Sequence, residues 1–263
     1  MEADPPQATQ IPNSGPSWEL DGPLVTSMPA VAPRGESPLV GRHVTLIPLQ
    51  ESHTEELYRN MGGILNAHLY KYVPAHPFRD SQSFATFTKS LCDRNVNISY
   101  AVSLKVFPAN AVPGSSDVST GFLTGIICLM NVLPSNRSVE IGVLFGPHLQ
   151  RTTAATEACY LLMKLCLQDL HFLRVEWKTS NLNEASKKSA LRLGFIHEGV
   201  FRKHMVVEGR RRDTAWFSII DEDWEGSARE ALERWLRNDN FDDQWRQRAR
   251  LEEIRQRVIK ERS

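Results

Sequence analysis

The sequence predicts a mixed α/β domain in which helices flank a β-sheet. Apolar and polar residues alternate in segments such as 43–49, as they do in half-buried strands. A longer segment, 152–170, repeats apolar residues at helical spacing and lies between two strand candidates. The predicted order is strand, two helices, three strands, helix, strand, helix and two strands. This order places a strand–helix–strand unit at the centre of the domain.

A tail is expected to precede the domain. Residues 1–36 are rich in Pro, Ser, Gly and Ala, and we predict disorder because this segment buries too little apolar surface to fold. The folded domain is expected to span 37–225. After the first strand, Ser52 predicts a helix start, since Glu55 three residues later completes a capping box. Asp80 is predicted to cap the second helix.

The remaining elements follow from alternation, capping residues and turn residues. Strands are predicted at 99–106, 120–132, 137–145, 172–180, 195–207 and 212–220, and helices at 152–170 and 183–194. The polar face of the first of these helices is expected to carry Thr156 and Glu157. A long polar connection at 107–120 joins two of the strands. Residues 226–263 form a charged helical extension, whose Trp235 and Trp245 are candidates for docking it on the domain.

The composition argues against several classes of partner. The chain of 263 residues carries 31 Lys plus Arg and 31 Asp plus Glu, so no net field favours nucleic acid or an anionic membrane. No apolar run reaches the roughly 18 to 20 residues of a membrane span. The N-terminal stretch lacks the basic and apolar regions of a signal peptide. We therefore expect a cytoplasmic protein with small-molecule partners.

Cysteine and histidine show no metal-ligand spacing. The four cysteines, Cys92, Cys128, Cys159 and Cys166, lie scattered in apolar runs and form no C-x-x-C pair. They are expected to be reduced core residues of an intracellular protein. The eight histidines form no paired spacing for a metal or for a Ser-His arrangement. No metal is predicted.

The segment 145–165 combines a strand end, a Gly-Pro pair and the start of the central helix. The first amide groups of a helix have no intrahelical partner, and with the positive end of the helix dipole they favour a phosphate. Gln150 and Arg151 add a donor and a charge at this place, and Thr152 and Thr153 add hydroxyls. The alternative is a helix start that caps itself through Thr152 or Thr153.

Several blocks occur in the order and spacing of a known family. These are "SVEIGVLF", "LQRTTAATEA", "RVEWKTSNLNEASKKSALRLGF" and "HEGVFRKHMVVEGRRRDTAWFSI". With them, residues 39–224 resemble the GNAT superfamily of acyl-CoA-dependent N-acetyltransferases, and within it the RimJ/RimL-like branch. The resemblance implies a twisted, mostly antiparallel sheet with flanking helices, in which strands are splayed at the cofactor cleft.

The resemblance implies that acetyl-CoA is the cosubstrate and that no metal is needed. In the family a turn of the form Gln/Arg-x-x-Gly-x-Gly/Ala holds the CoA pyrophosphate. Gln150 matches its first position and Ala155 its last, whereas Thr153 replaces a glycine, and its Cβ limits the approach of phosphate to the backbone. The implied cofactor-binding residues are Val143, Leu144, Phe145, Gln150, Arg151, Thr152, Thr153, Ala154, Ala155, Asn183 and Ser186.

The resemblance also suggests catalytic residues. Glu140 and Glu176 lie on the two strands that splay, where a carboxylate can deprotonate the acceptor amine. Backbone amides of residues 143–145 are expected to stabilise the oxyanion. The final strands and the helix at 183–194 offer no tyrosine to protonate the thiolate, so Ser186, or a water it holds, is the candidate acid. The alternatives are a salt bridge across the sheet for the glutamates, an N-cap for Asn183 and a polar first-turn position for Ser186.

The predicted function is direct transfer of an acetyl group from acetyl-CoA to a primary amine of a small molecule or a peptide N-terminus. The acceptor is expected to enter beside the two N-terminal helices, residues 70–72 and the connection 107–120. The basic run 202–214 is expected near the CoA phosphates. Two alternatives stay open: a GNAT-fold protein repurposed for CoA-independent small-molecule metabolism, and a catalytically silent binding module that acts through its C-terminal helices. A homodimer is also left open.

Overall fold

The computed structural model describes residues 24–25, 27–75, 78–106 and 119–263. Within these residues eight strands form one sheet, in the order β1-β2-β3-β4-β5-β6-β8-β7. The strands are β1 (Leu39–Val40), β2 (Val44–Pro48), β3 (Ile98–Val106), β4 (Ser119–Leu133), β5 (Ser138–Phe145), β6 (Arg174–Ser180), β7 (Ile196–Val207) and β8 (Arg210–Ile220). Each predicted strand is confirmed, with end points that differ by up to two residues.

Helices lie on both faces of the sheet. The α-helices in the described part of the chain are α1 (Thr54–Met61), α2 (Ser81–Leu91), α3 (Thr153–Lys164), α4 (Glu184–Leu193), α5 (Asp221–Asp223), α6 (Arg229–Trp235) and α7 (Leu251–Arg262). Short 3-10 helices lie at Glu51–His53, Ile64–Tyr70 and Asn238–Asn240, and π-helical turns lie at Leu165–Asp169 and Trp224–Ala228.

The sheet is antiparallel except at its centre. β5 and β6 are parallel, and α3 forms the crossover between them, as the predicted strand–helix–strand unit requires. Their pairing covers three residue pairs, from Ser138↔Arg174 to Glu140↔Glu176. All other neighbouring strands pair in antiparallel fashion. The predicted mixed, mostly antiparallel sheet is therefore confirmed.

Two apolar cores hold the helices on the sheet. On one face α3, α4 and the C-terminal helices cover alternate strand residues such as Ile141 and Phe217. On the other face Leu57 of α1 and Phe84 of α2 pack near Ile126. The second core reaches only the half of the sheet from β2 to β5. The same face of β6 and β8 carries polar and charged side chains instead.

Two predicted helix starts have different outcomes. Asp80 caps α2, because its Oδ1 accepts a hydrogen bond from the amide of Ser83 at 2.7 Å. Ser52 does not cap α1, so that prediction is wrong. The chain makes a 3-10 turn first, and the Ser52 hydroxyl donates to Oε1 of Gln50 at 3.4 Å.

Thr156 and Glu157, on the predicted polar face of α3, are both buried. The Glu157 carboxylate accepts hydrogen bonds from the amides of Arg42, His43 and Val44 at 2.6 to 3.0 Å. These amides lie in the turn that leads into β2. These three hydrogen bonds meet the hydrogen-bonding needs of the buried carboxylate without water. They also hold the turn before β2 against α3.

The C-terminal extension packs more tightly than its charge suggests. Trp224 and Trp235 are buried, and they join α7 residues such as Val258 in the core. The predicted helical character is interrupted, because residues 241–250 form turns and a bridge between Phe241 and Gln247. Trp245 remains 53% exposed, with its ring 5.9 Å from that of His43.

The predicted tail lies partly outside the described residues, which omit 1–23 and 26. Of the rest, the amide of Val31 donates to the Leu170 carbonyl at 2.9 Å. The Arg137 guanidinium donates to the Ser27 hydroxyl at 2.9 Å and to the Met28 carbonyl. Residues 27–31 therefore contact the domain, while the domain limits at 36 and 225 stay predictions.

The cysteines are free, with Cys128, Cys159 and Cys166 buried and Cys92 half-buried. Among the described helices, none has both the length and the apolar character that a membrane crossing needs.

Candidate active site

A gap opens in the middle of the sheet where β5 and β6 stop pairing. β5 continues five residues beyond Glu140, still paired with β4 up to Phe145. β6 continues beyond Glu176, still paired with β8 up to Ser180. β4 therefore holds β5, and β8 holds β6. In the described chain, β5 and β6 form no further pairs with each other after Glu140 and Glu176. We call this opening the gap.

Two amides of β5 face the gap. The amide of Gly146 donates to the Thr124 carbonyl of β4 at 2.8 Å. Because successive N–H groups of a strand point to opposite sides, the amide of Leu144 also points to β4. The amides of Val143 and Phe145 then point to the β6 side. Of the three residues expected to use their amides, the geometry therefore favours Val143 and Phe145 over Leu144.

The turn after β5 is built around Gly146 and Leu149. A Cβ at Gly146 would lie 2.6 Å from the Thr124 carbonyl oxygen, so the close approach of the two strands requires glycine. Leu149 is fully buried and anchors the turn. Gln150 folds back, and its Nε2 donates to the Phe145 carbonyl at 3.1 Å. Arg151, with φ of 62°, is exposed.

The start of α3 caps itself and still leaves two amides available. Thr152 is the N-cap, and its hydroxyl accepts from the amide of Ala155 at 3.2 Å. The self-capping alternative is therefore confirmed for Thr152. The amides of Thr153 and Ala154 have no acceptor among the residues that the structure describes. Both lie at the positive end of the α3 dipole, where an anion binds favourably.

Asn183 and Ser186 lie together at the start of α4. The Asn183 side chain accepts from the amide of Ser186 at 3.1 Å, so its predicted alternative as an N-cap is confirmed. The Ser186 hydroxyl accepts from the indole N–H of Trp177 on β6 at 2.9 Å. Since that bond uses the oxygen of Ser186, its hydroxyl proton stays free to be donated elsewhere.

Glu140 is buried where the gap begins, with 6% of its surface exposed. Its Oε2 accepts from Asn131 Nδ2 at 2.6 Å and pairs with Lys178 Nζ at 2.9 Å. Asn131 reaches it from an irregularity in β4, where Asn131 has φ of 46°. Asparagine adopts this left-handed conformation more readily than most residues.

Glu176 is the centre of a chain of ion pairs. It pairs with Lys178 at 3.0 Å and with Arg174 at 2.9 Å. Arg174 pairs in turn with Glu198 at 2.5 Å, and Ser218 donates to Glu198 at 2.5 Å. The hydrogen bonds from Arg174 lower the pKa of Glu198 to about 2. The predicted alternative of a salt bridge across the sheet is confirmed for Glu140, which pairs with Lys178 of the neighbouring strand, whereas the partners of Glu176 lie on its own strand.

Cys128 lies beside the gap but is not a nucleophile at neutral pH. It is paired with Gly142, two residues from Glu140 on the same face of β5. Burial, with a smaller contribution from Glu140, raises the pKa of the Cys128 thiol to about 12. A thiol must lose its proton to attack an acyl group, so this site does not offer a cysteine for a covalent intermediate.

A groove of about 500 Å³ runs along the expected acceptor side. Its lining residues are Tyr70, Lys71, Tyr72, Val73, Ala75, Ser180, Asn181, Leu182, Val207, Glu208, Arg210, Arg211, Arg212 and Asp213. Residues 70–72, expected beside the acceptor, line this groove. Residues 107–118 of the connection lie outside the described residues. The hairpin residues 207–208 and 210–213 also line the groove, and the expected position of the basic run near the CoA phosphates stays a prediction.

Sequence reasoning missed the side chains that hold the candidate residues. Asn131, Lys178 and Trp177 contact Glu140 and Ser186 from other strands or across the sheet. The spacing of Glu176 and Lys178 was the one available signal, because residues two apart share a face of a strand. No cluster of three or more His, Cys, Asp or Glu suited to a metal occurs within the described ranges.

Comparison with known proteins identifies the family of this chain. Residues 43–196 match the family described as "Acetyltransferase (GNAT) domain". A Bacillus subtilis protein named "Putative ribosomal N-acetyltransferase YdaF" is 32% identical over 106 residues. That match covers 40% of this chain and 58% of the relative, so the chain spans little more than half the length of that protein.

Solved structures show the same fold. A GCN5-related N-acetyltransferase from Brucella melitensis has a TM-score of 0.77 and 32% identity, over 88% of this chain and 99% of that one. The microcin C7 self-immunity acetyltransferase MccE, solved in complex with acetyl-CoA and AMP, has a TM-score of 0.56 and 20% identity. It covers 68% of this chain and 93% of its own. At this identity, the second likeness concerns the fold alone.

The depressed pKa of Glu198 gives a testable pH dependence. Its carboxyl has a pKa of about 2 in the folded protein and about 4.3 when unfolded. Its ion pair with Arg174 therefore stabilises the fold fully above the unfolded pKa and less as pH falls toward the folded pKa. Urea unfolding at several pH values should show wild type exceeding Glu198→Gln by a constant margin near neutrality and by a shrinking margin in acid.

The matched control is Glu55→Gln, which removes a carboxylate that is 88% exposed on α1 and should change stability little. A margin between wild type and Glu198→Gln that is independent of pH would show that the Arg174–Glu198 pair does not form in solution.

Proposed function

Because the chain belongs to the GNAT acetyltransferase family, we propose that it transfers an acetyl group from acetyl-CoA to a primary amine by direct attack. The observation that carries the proposal is the gap between β5 and β6, with Glu140 at its closed end and unpaired amides along one edge. We assign the gap to the extended pantetheine chain, and the start of α3, which follows β5, to its phosphates. We place the protein in the RimJ/RimL-like branch and in the cytoplasm, where free thiols persist.

The residues at the start of α3 fit a pyrophosphate. The free amides of Thr153 and Ala154 and the positive charge of Arg151 converge on one helix end. Thr153 keeps its N–H, and its hydroxyl can donate as well. Threonine in place of glycine therefore leaves less room for the pyrophosphate but removes no hydrogen-bond donor. When bound, acetyl-CoA supplies the activated acyl group.

The amides of Val143 and Phe145 are assigned to the developing negative charge. They point into the gap from a strand that β4 holds rigidly, which keeps the donors in place before the reaction begins. Binding would hold the thioester against these amides and next to the amine. The two reacting groups would then be aligned before the reaction, which lowers its entropic cost.

Glu140 is proposed as the base that accepts the proton of the amine. It is more buried than Glu176, and it faces the gap with one cation, Lys178, and one neutral donor, Asn131. Glu176 is held by two cations, Lys178 and Arg174. Glu140 is therefore assigned to the amine, and Glu176 is assigned the supporting role of holding Lys178.

Ser186 is proposed to pass a proton to the leaving thiolate, giving up its hydroxyl proton as it takes another from a water molecule. The indole of Trp177 fixes the hydroxyl oxygen and leaves its proton for the sulfur. Asn183 positions Ser186 by accepting from its amide. The acceptor is proposed to be the amine of a small molecule or of a peptide N-terminus, and the ribosomal substrate in the name of the Bacillus subtilis relative supports the peptide class.

The first test is binding of the cosubstrate. Isothermal titration and thermal denaturation should show that acetyl-CoA binds and stabilises the wild-type protein, by about 2.7 kcal/mol at a hundredfold excess over Kd. Thr153→Trp should abolish binding by filling the helix start. Thr153→Gly, the matched control, should bind at least as well as wild type. Equal affinity of the tryptophan variant would remove the α3 start from the site, and no binding by wild type would support the CoA-independent alternative.

The second test concerns the base. Glu140→Gln should lower the rate of thiol release by roughly a hundredfold or more at neutral pH, with the best acceptor from an amine panel. Acetyl-CoA affinity should be unchanged, since the carboxylate is assigned to the amine. Glu176→Gln serves as the comparison and should lose less. Unchanged turnover in Glu140→Gln would exclude Glu140 as the base, and a protein that binds acetyl-CoA but acetylates no amine would indicate a silent binding module.

A further inference from the structure

Arg212 is a cationic side chain that lines the groove. It lies on β8 and is half-buried, and its Nε is enclosed but meets no acceptor in the described part of the chain. Its neighbours differ, because Arg211 pairs with Asp213 at 2.8 Å and Arg174 pairs with Glu198 at 2.5 Å. An enclosed donor that lacks an acceptor costs free energy, so each such group in a native fold needs a reason.

Trp216 carries a second enclosed donor on the same surface. Its Nε1 also lacks an acceptor among the described residues. Arg212 and Trp216 lie four residues apart on one strand and thus share a face of the sheet. Lys178 Nζ lies 3.8 Å from the centre of the Trp216 ring, and its charge is balanced by Glu140 and Glu176. The two enclosed donors, on Arg212 and Trp216, are therefore suited to an anion with more than one acceptor atom.

Arg212 lies within electrostatic reach of Glu140. Burial lowers the pKa of the Arg212 guanidinium, and the charge of Glu140 acts in the opposite direction. The contacts place both side chains on one face of the sheet, because Glu140 pairs with Lys178 and Lys178 lies over the ring of Trp216, which shares a face with Arg212. A ligand whose amine faces Glu140 can therefore extend along this face toward Arg212.

The anion in question belongs to the acceptor and not to CoA. The lining residues of the groove include none from 146–155, the segment proposed to hold the phosphates. They do include Tyr70 and Lys71, which face the hairpin from the end of a 3-10 helix. The groove thus opens on the side of the sheet opposite to α3.

We propose that Arg212 determines specificity by binding a carboxylate that the acceptor carries close to its reacting amine. This inference rests on the proposed acetyl transfer, since it assigns the acceptor to the groove. A guanidinium and a carboxylate form two parallel N–H···O bonds, which would give the Arg212 Nε the acceptor it lacks. The indole N–H of Trp216 offers a further donor. The carboxylate is either the α-carboxylate of an amino acid or an acidic side chain near a peptide N-terminus.

Matched ligands separate the two sources. Isothermal titration into CoA-saturated protein would compare serine with serinamide, and the peptide Ser-Asp-Ala-amide with Ser-Asn-Ala-amide. The proteins are wild type, Arg212→Gln, Arg212→Lys and Arg202→Gln. Arg202 is exposed on β7 and does not line the groove, so its variant controls for the loss of one positive charge. Melting curves and acetyl-CoA titrations confirm that each variant is folded.

We expect the acidic member of one pair to bind wild type and Arg202→Gln about tenfold or more tightly than its neutral partner. Arg212→Gln should abolish that preference, and Arg212→Lys should retain part of it because the charge remains without the planar fork. Equal binding within both pairs, a preference that survives in Arg212→Gln, or no binding of any ligand overturns the inference. Failure of wild type to bind acetyl-CoA would instead refute the proposed function, and the preference can then be measured without CoA.

Discussion

Backbone hydrogen bonding on the outer edges of β5 and β6 is the constraint on which the rest of the structure depends. Each strand keeps an antiparallel partner along its whole length, so the two can part after Glu140 and Glu176 without losing their place in the sheet. The parting leaves backbone donors unused at the inner edge of β5. Unused backbone donors inside a protein carry a free-energy cost unless water or a ligand satisfies them. An extended thioester ligand would satisfy them and fill the space between the strands.

Charged side chains on the part of the sheet face that the second apolar core leaves uncovered make the gap polar. The second apolar core ends at β5, and beyond it Glu140, Lys178 and Glu176 satisfy one another through ion pairs. Because these pairs are largely enclosed, their geometry is fixed by several contacts at once, and removing one partner would leave a buried charge uncompensated. Arg212 departs from this pattern, as it belongs to the same surface and lacks a partner among the described residues. We therefore assign the ion-pair network to holding Glu140 and Glu176 in position, and Arg212 to binding the acceptor.

Much of the fold could be predicted from the sequence, because strands, helix caps and turns depend mainly on residues that are near one another in the chain. Local sequence patterns predicted each strand except the two-residue β1, and the N-cap role of Asn183 was one of two alternatives that the sequence left open. The sequence did not reveal contacts made across the sheet. A helical repeat shows that Glu157 lies opposite the apolar stripe of α3, yet it does not show that the turn before β2 covers that side. Likewise, nothing local to Glu140 predicts that Asn131 reaches it from an irregular part of β4. That the hairpin lies beside residues 70–72 could not be predicted either, because its position depends on how β8 pairs with β6.

Amide hydrogen exchange resolved at single residues tests the central claim most directly. If acetyl-CoA occupies the gap, the amides of Val143 and Phe145 should exchange quickly in the free protein and slowly in the complex. The amide of Leu144, which points to β4, should be protected in both states and so serves as an internal reference. Protection that appears elsewhere on the chain while Val143 and Phe145 are unchanged at saturating acetyl-CoA would contradict the account.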